Sequence, residues 1–213
     1  MEDLIIGQLS DIDPITLEEM GSIRLMNRID RKFVTNAEAV SRLLEICRRE
    51  YLVQDIDGER FCHYHTVYFD TEGHKFYFDH HNGRCPREKV RLRTYLDSSA
   101  TYLEVKTKNN HDRTRKSRIR ISSEGAFYQE QSDPFLIGES GFAARNLHPA
   151  IENDFRRITL VNKAKTERLT IDLEIHYHNM ETGLDCDTDD MAVIELKRDG
   201  FDRFQYNFAG SSK

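Results

Sequence analysis

Apolar and polar residues alternate along most of the chain, and this two-residue period is typical of half-buried β-strands. The alternation predicts nine strands, over residues 28–34, 61–70, 75–80, 88–95, 102–108, 116–122, 155–161, 168–176 and 191–197. Turn residues such as those at 71–73 and 81–83 separate them. Short connections favour antiparallel pairing, and this many strands favours a barrel or a sandwich.

A few segments follow the helical period instead. Thr35 and Glu38 have the spacing of a capping box, and Val40, Leu44 and Cys47 then recur on one side, which predicts a helix over residues 35–47. A further helix is predicted over residues 16–26 and a short helical piece over residues 141–146. No repeat, linker or domain boundary is visible, so residues 1–213 are expected to form one domain.

The polar faces of the predicted strands are unusual because they carry charges of both signs. The cations that share these faces include Arg28, Lys32, Lys89, Arg91, Arg93, Lys106, Lys108, Lys116, Arg118, Arg120, Arg168 and Lys197. The carboxylates among them are Asp30, Glu104, Asp172, Glu174 and Glu195. An ordinary antiparallel sheet with one solvent-exposed face would explain the charges on any single strand. Arginine repeated at every second position, with carboxylates nearby, instead favours a site for phosphate and a divalent metal.

The charge distribution along the chain supports a localised site. The 213 residues have a net charge of −6, but residues 84–120 hold twelve Lys or Arg and four Asp or Glu, which makes that window +8. A basic centre in an acidic protein indicates a local anion site rather than a surface that coats nucleic acid. Aromatic residues that could stack bases are present, but nucleic acid is disfavoured as a partner because the whole chain is acidic.

Other features bound the class of protein. The 12 Phe and 9 Tyr argue against a disordered chain, and no apolar run approaches the ~20 residues of a membrane-spanning helix. The four cysteines form no C-x-x-C pair, and the chain starts with an acidic segment rather than a secretory signal. These features predict a cytoplasmic protein without disulfides, although a membrane partner remains open.

Several segments together resemble a known family, the VTC domain. This is the polyphosphate polymerase domain of the vacuolar transporter chaperone complex and its bacterial relatives, within the CYTH or triphosphate tunnel metalloenzyme superfamily. The matching segments are RIDRKF at 28–33, TVYFDT at 66–71, KVRLRTY at 89–95, LEVK at 103–106, KSR at 116–118, FRR at 155–157, RLTID at 168–172 and VIELK at 193–197. Each segment alone is weak evidence for the family, whereas the order and spacing of the segments together are fairly specific to it.

The resemblance implies a fold and a set of site residues. The fold is a mainly β, α+β domain in which an antiparallel eight-stranded β-barrel forms a tunnel with flanking helices. Catalytic roles fall on Lys32, Arg91, Arg93 and Lys106. Substrate-binding roles fall on Arg28, Lys89, Lys108, Arg118, Arg120, Arg157, Arg168 and Lys197. Glu195 is the implied ligand of Mn²⁺ or Mg²⁺, and Glu104 is the second choice.

The implied activity is transfer of the γ-phosphate of ATP onto a polyphosphate chain inside a basic tunnel. Two alternatives stay open, an inorganic triphosphatase and a non-catalytic module that binds polyphosphate or inositol phosphate. The superfamily's triphosphatases open with E-x-E-x-K, whereas Arg28 and Asp30 stand here, which is nearer the polymerase branch. The family usually ends with a Ser-Lys-aromatic motif, and Lys213 is the candidate remnant of its lysine.

Overall fold

The computed structural model describes residues 2–23, 28–110, 114–129 and 132–199. Helices and strands follow one another as α1 (Glu2–Ser10), β1 (Pro14–Thr16), α2 (Leu17–Ser22), β2 (Arg28–Asn36), α3 (Ala37–Cys47), β3 (Tyr51–Asp55), β4 (Cys62–Asp70), α4 (Lys75–His81), β5 (Arg87–Tyr95), β6 (Ala100–Lys108), β7 (Thr114–Ile121), α5 (Ser132–Ser140), β8 (His148–Asn162), β9 (Glu167–Asn179), β10 (Asp185–Asp187) and β11 (Met191–Asp199). Short 3₁₀ turns occur at Leu96–Ser98, Glu124–Tyr128 and Ala144–Asn146. Lys213 lies outside the described residues.

The chain divides into two compact units. Unit 1 consists of the described residues among 2–61, Arg157–Leu173 and residues 190–199. Unit 2 consists of Cys62–Arg156 and Glu174–Asp189. The long strands β8 and β9 each contribute residues to both units.

Unit 1 is a sheet covered on its apolar side by helices. Its strands lie in the order β2-β11-β9-β8-β3-β1, and β11 pairs antiparallel with both β2 and β9. The strand β3 pairs antiparallel with β8 and parallel with β1. Helices α1 and α3 bury their apolar sides against this sheet, in a core that includes Ile5, Leu9, Val40, Leu44, Ile158, Leu160, Leu169, Ile171 and Ala192. The opposite face of the sheet is therefore left to polar residues.

Unit 2 has the same layered plan. Its strands lie in the order β8-β4-β5-β6-β7, and the pairs β4–β5, β5–β6 and β6–β7 are antiparallel. Their apolar side chains pack against α5 and the neighbouring 3₁₀ turns, in a core that includes Val67, Phe69, Val90, Leu92, Leu103, Val105, Phe127, Leu136 and Leu147. The prediction of a mainly antiparallel β fold with flanking helices is confirmed. In the described part of the chain the strands number eleven rather than eight, and the edge strands β2 and β7 are not paired with each other, so the sheet is not closed into a barrel.

One predicted strand, over residues 75–80, is wrong, because this segment is helix α4. The Asp70 carboxylate accepts hydrogen bonds from the backbone N–H groups of Phe76 and Tyr77, both at 2.9 Å. The Thr71 hydroxyl accepts a third, from the Lys75 N–H at 3.1 Å. These acceptors satisfy the donors that a helix start leaves free, so local capping overrides the strand preference of Phe and Tyr.

The start of α3 also differs from the prediction. Residue Thr35 belongs to strand β2, and Asn36 caps the helix by accepting the Ala39 N–H at 2.9 Å. A capping box does occur at α2, between Thr16 and Glu19. Helices α1 and α5 and strands β1, β3 and β10 were not predicted.

Candidate functional site

The polar face of unit 2 collects cations from three neighbouring strands. Strand β5 lies between β4 and β6, and its residues Lys89 and Arg91 lie directly opposite Lys106 and Glu104 of β6. By register and alternation, the cationic residues that this face carries in β5, β6 and β7 are Arg87, Lys89, Arg91, Arg93, Lys106, Lys108, Lys116, Arg118 and Arg120. Glu104 is the one carboxylate among these strand positions. We call this surface the cationic face.

Glu104 joins two of these cations. Its side chain is 2 % exposed, and its Oε2 lies 2.7 Å from Arg91 Nε and 2.6 Å from Arg91 Nη2. Its other oxygen, Oε1, lies 2.7 Å from Lys116 Nζ. Arg91 also donates from Nη1 to the Tyr68 hydroxyl at 3.3 Å. The carboxylate therefore holds both an arginine and a lysine at defined places on the sheet.

Burial and charge act against each other in this cluster. Burial alone would raise the pKa of Glu104, but the positive charges of Arg91 and Lys116 outweigh it and hold that pKa below its ordinary value. Burial also opposes the charge of Arg91, yet Tyr68 and Glu104 raise its pKa. For Lys116 burial prevails, and its pKa is lowered. Arg91 and Glu104 are consequently both charged at neutral pH.

Aromatic rings support the arginines of the cationic face. Arg93 is only 7 % exposed, donates from Nε to the Thr66 hydroxyl at 3.2 Å, and has its guanidinium 5.5 Å from the Tyr64 ring and 5.4 Å from the Phe155 ring. Arg118 lies over the Tyr102 ring at 4.6 Å. A ring face attracts a cation and restricts its rotation, so these guanidinium groups are held in place.

The remaining predicted cations of this face are Lys89, Lys106, Lys108 and Arg120. Lys89 places its Nζ 3.3 Å from His80 Nε2, while Lys106 and Arg120 are exposed and Lys108 is half-buried. Lys116 belongs to the Glu104 cluster but is not among the site residues predicted from the sequence. Its alternation with Arg118 and Arg120 is the sequence signal that places it on the same face. Tyr68 was also left out, and no sequence signal distinguished it from a core residue.

The polar face of unit 1 has a different charge pattern. By register, Lys32 of β2 lies opposite Glu195 of β11, and Asp30 lies opposite Lys197. On the other side of β11, Glu195 is opposite Thr170 of β9. We call this surface the mixed face because cations and carboxylates alternate across its strands.

Glu195 and Lys197 of the mixed face form an ion pair. Burial alone would raise the pKa of Glu195, but the hydrogen bond from Lys197 and the charges of Lys32 and Arg157 lower it overall. Burial lowers the pKa of Lys197, although Glu195 and Asp30 act in the opposite direction. Glu195 is thus an ionised carboxylate surrounded by cations.

The other predicted residues of unit 1 have partners inside the unit. Arg157 binds Asp172 with two parallel hydrogen bonds, from Nε at 2.5 Å and from Nη2 at 2.6 Å. Arg168 donates from Nη2 to the Met20 carbonyl at 3.1 Å. The side chain of Arg28 lies outside the described part of the chain.

The fit of a divalent metal can be judged from the donors present. Within residues 2–23, 28–110, 114–129 and 132–199, no group of three or more His, Cys, Asp or Glu side chains could hold a metal ion. Mg²⁺ in phosphate-handling proteins is often bound by only one or two carboxylates, with substrate phosphates and water completing its coordination. Glu195 fits that pattern as a single protein ligand. Both oxygens of Glu104 already face cations, so its donor set fits a metal less well.

Comparison with known proteins identifies the family. A sequence model of the VTC domain matches residues 27–207, most of the chain, so the protein belongs to the VTC domain family. This confirms the family expected from the sequence. No curated protein matches the chain. None of the described helices is both long enough and apolar enough to cross a membrane.

The solved structures that match much of the chain have very different sequences. A "putative adenylate cyclase" from Bacillus halodurans has a TM-score of 0.48 and 15 % identity, over 81 % of this chain and 82 % of its own. Another from Vibrio parahaemolyticus has a TM-score of 0.48 and 13 % identity, over 84 % and 80 %. A "putative adenylyl cyclase" from Hippeastrum, described as having a dominant triphosphatase activity, has a TM-score of 0.45 and 12 % identity, over 80 % and 78 %.

Proposed function

We propose that this VTC domain protein is a metal-dependent phosphotransferase that moves the γ-phosphate of ATP onto a polyphosphate chain. The observation that carries the proposal is the cationic face, which holds nine cations and one buried carboxylate. The mixed face contributes Glu195 as the carboxylate for Mn²⁺ or Mg²⁺. Membership of the VTC domain family supports both assignments.

Phosphoryl transfer suits such a surface because the reaction needs positioning and charge stabilisation more than covalent help from the protein. Arginine binds phosphate oxygens with two parallel hydrogen bonds, and lysine adds a compact positive charge. Arg91 and Arg93 are held by Glu104, Tyr68 and aromatic rings, so little reorganisation is needed when phosphate binds. We assign the catalytic roles to Lys32, Arg91, Arg93 and Lys106, and substrate binding to Arg28, Lys89, Lys108, Arg118, Arg120, Arg157, Arg168 and Lys197.

The proposed step transfers one phosphoryl group from ATP to the end of the chain. A terminal oxygen of the polyphosphate chain forms a new bond to the γ-phosphorus of ATP, the bond from that phosphorus to the β–γ bridging oxygen breaks, and ADP leaves. The cations of the cationic face stabilise the charge on the transferred phosphoryl group. A bound Mn²⁺ or Mg²⁺ would neutralise phosphate charge and orient the oxygens.

A binding module without turnover is the second candidate, and one observation favours it. One carboxylate oxygen of Glu195, the proposed metal ligand, is engaged by Lys197, and this internal ion pair competes with a metal for the carboxylate. A protein that only binds polyphosphate or inositol phosphate would not need that exchange. A triphosphatase, in which water replaces the chain end, is distinguished by its product.

The test incubates the purified protein with Mn²⁺ and either ATP or inorganic triphosphate, and resolves the products by gel and by phosphate assay. Long chains from ATP support the polymerase, and free phosphate without chains supports the triphosphatase. Tight binding with neither product supports the binding module. Absence of triphosphate binding by calorimetry would reject all three. Arg91→Ala is the loss-of-function variant, and Arg115→Ala, on the other side of β7, is its matched control.

A further inference from the structure

The only carboxylate on the strand positions of the cationic face is also one of the most deeply buried charged groups of unit 2. Glu104 is 1 % exposed, and its register places it directly between Arg91 of β5 and Arg118 of β7. A lone buried carboxylate costs several kcal/mol unless it is paired. Here Arg91 and Lys116 pair with it, one on each oxygen.

The hydrogen bonds of Arg91 show how this pairing directs its guanidinium. Its Nε and Nη2 face Glu104, and its Nη1 donates to Tyr68. Among the contacts described for unit 2, these use three of the five N–H donors of a guanidinium group. One N–H on each terminal nitrogen is left over, which is the pair that binds a phosphate group bidentately.

Glu104 also offsets repulsion among the cations. Burial lowers the pKa of Lys116, and the positive charge of the nearby Arg91 lowers it further. Without a carboxylate between them, the two cations would separate and would have to be brought together again when a polyanion binds. A pre-set arrangement avoids that reorganisation.

We propose that Glu104 is a positioning residue for tri- or polyphosphate, which orients Arg91 and Lys116, and that it is not a metal ligand. This inference rests on the proposed function, since it concerns how the same surface holds its phosphate substrate. It replaces the metal role that the family resemblance suggested as the second choice for Glu104.

The proposal makes a prediction opposite to that of simple electrostatics. Removing a negative charge near a polyanion should tighten binding if charge alone matters. Loss of a positioning residue should weaken binding, because Arg91 and Lys116 lose their fixed places. Loss of a metal ligand should leave metal-free binding unchanged and weaken Mn²⁺ binding.

The experiment measures affinity for inorganic triphosphate by calorimetry in EDTA, and affinity for Mn²⁺ without phosphate by electron paramagnetic resonance. For Glu104→Gln we expect metal-free triphosphate affinity to fall about tenfold, within the range of coupling inside one ion-pair network. Affinity for Mn²⁺ should stay within about twofold of the unmodified protein. The matched control is Glu139→Gln, which removes a carboxylate paired with Arg115 and Ser117 elsewhere in unit 2 and should change neither affinity.

Two further variants extend the test, and the first of them keeps it decisive if Glu104→Gln does not fold. Glu104→Asp retains the charge but shortens the side chain. A positioning role predicts weaker triphosphate binding by this variant, whereas a pure charge effect predicts no change in affinity. In an Arg91→Ala background, Glu104→Gln should cost much less than it does alone. Equal or tighter triphosphate binding by the Gln and Asp variants would overturn the inference. If the unmodified protein does not bind triphosphate, the proposed function itself fails and this inference falls with it.

Discussion

The cationic face of unit 2 and the mixed face of unit 1 are both polar sides of antiparallel sheets, but their charges are balanced differently. The strands of the cationic face carry nine cations and a single carboxylate, Glu104. On the mixed face, the described cations Lys32, Arg157, Arg168 and Lys197 share the surface with Asp30, Asp172 and Glu195. On the cationic face the like charges repel one another, and a bound polyanion would reduce that repulsion. On the mixed face the carboxylates largely neutralise the neighbouring cations.

This contrast separates two tasks in phosphate chemistry. An unbalanced cationic surface supplies binding strength, and a balanced surface can offer a carboxylate to a metal without repelling the substrate strongly. We therefore expect substitution of Arg91 on the cationic face to change phosphate affinity, and substitution of the carboxylate Glu195 on the mixed face to change metal dependence.

The largest effect is expected for Arg91→Ala. Metal-free affinity for inorganic triphosphate should fall about 50-fold, since a hydrogen bond to a charged group contributes about 1.5–3 kcal/mol. Arg115→Ala should leave the affinity unchanged, because Arg115 lies on the opposite side of the sheet and pairs with Glu139 at 2.7 Å. Calorimetry on both variants measures this, and equal losses would remove the distinction between the two sides.

The contribution of the Glu104 ion pairs to stability should depend on pH. Its pKa is below the ordinary value of 4.5 in the folded protein, so its ion pairs stabilise the fold above pH 4.5 and are lost as the pH falls through the lower native pKa. Glu104→Gln should lower the free energy of unfolding by about 2 kcal/mol at pH 7. Urea unfolding measures the difference in the free energy of unfolding between the unmodified protein and Glu104→Gln, and this difference should shrink as the pH is lowered from 5 to 3. A difference that is constant with pH would contradict the ion pairing of Glu104.

Glu195→Gln should separate metal dependence from phosphate binding. We expect the Mn²⁺ concentration for half-maximal turnover to rise about tenfold, which corresponds to about 1.4 kcal/mol. Metal-free triphosphate affinity should change little. Glu45→Gln, on the exposed side of α3, is the control. If the Gln variant at position 195 loses phosphate affinity and keeps its metal response, the division of tasks between the faces is wrong.

The smallest effect is expected for Arg120→Ala. Arg120 is exposed on β7, so water and salt weaken its interaction with a polyanion. Triphosphate affinity should fall about threefold at low salt and should match the unmodified protein at about 1 M salt. Lys163→Ala, which removes an exposed cation of unit 1 paired with Asp13 at 3.0 Å, should have no effect at either salt concentration.

The strands that carry the site could be predicted because their pattern is local. Residues 88–95 and 102–108 alternate strictly, and the structure places strands β5 and β6 there with Lys89, Arg91 and Arg93 on one face. The segment 75–80 has a similar composition but is helical, since the Asp70 carboxylate caps it. A side-chain cap contributed from the preceding strand could not be recognised from strand propensity.

The family, the β-rich class and the charged side chains that share each strand face could be predicted from the order of residues, because the pleat of a strand depends on that order alone. Which charges meet across strands is a property of the folded protein. Folding pairs Glu104 with Arg91 and Lys116, and Glu195 with Lys197, and it buries Glu104. Register and burial depend on how chain-distant strands and helices pack together, and the local order of residues does not specify that packing.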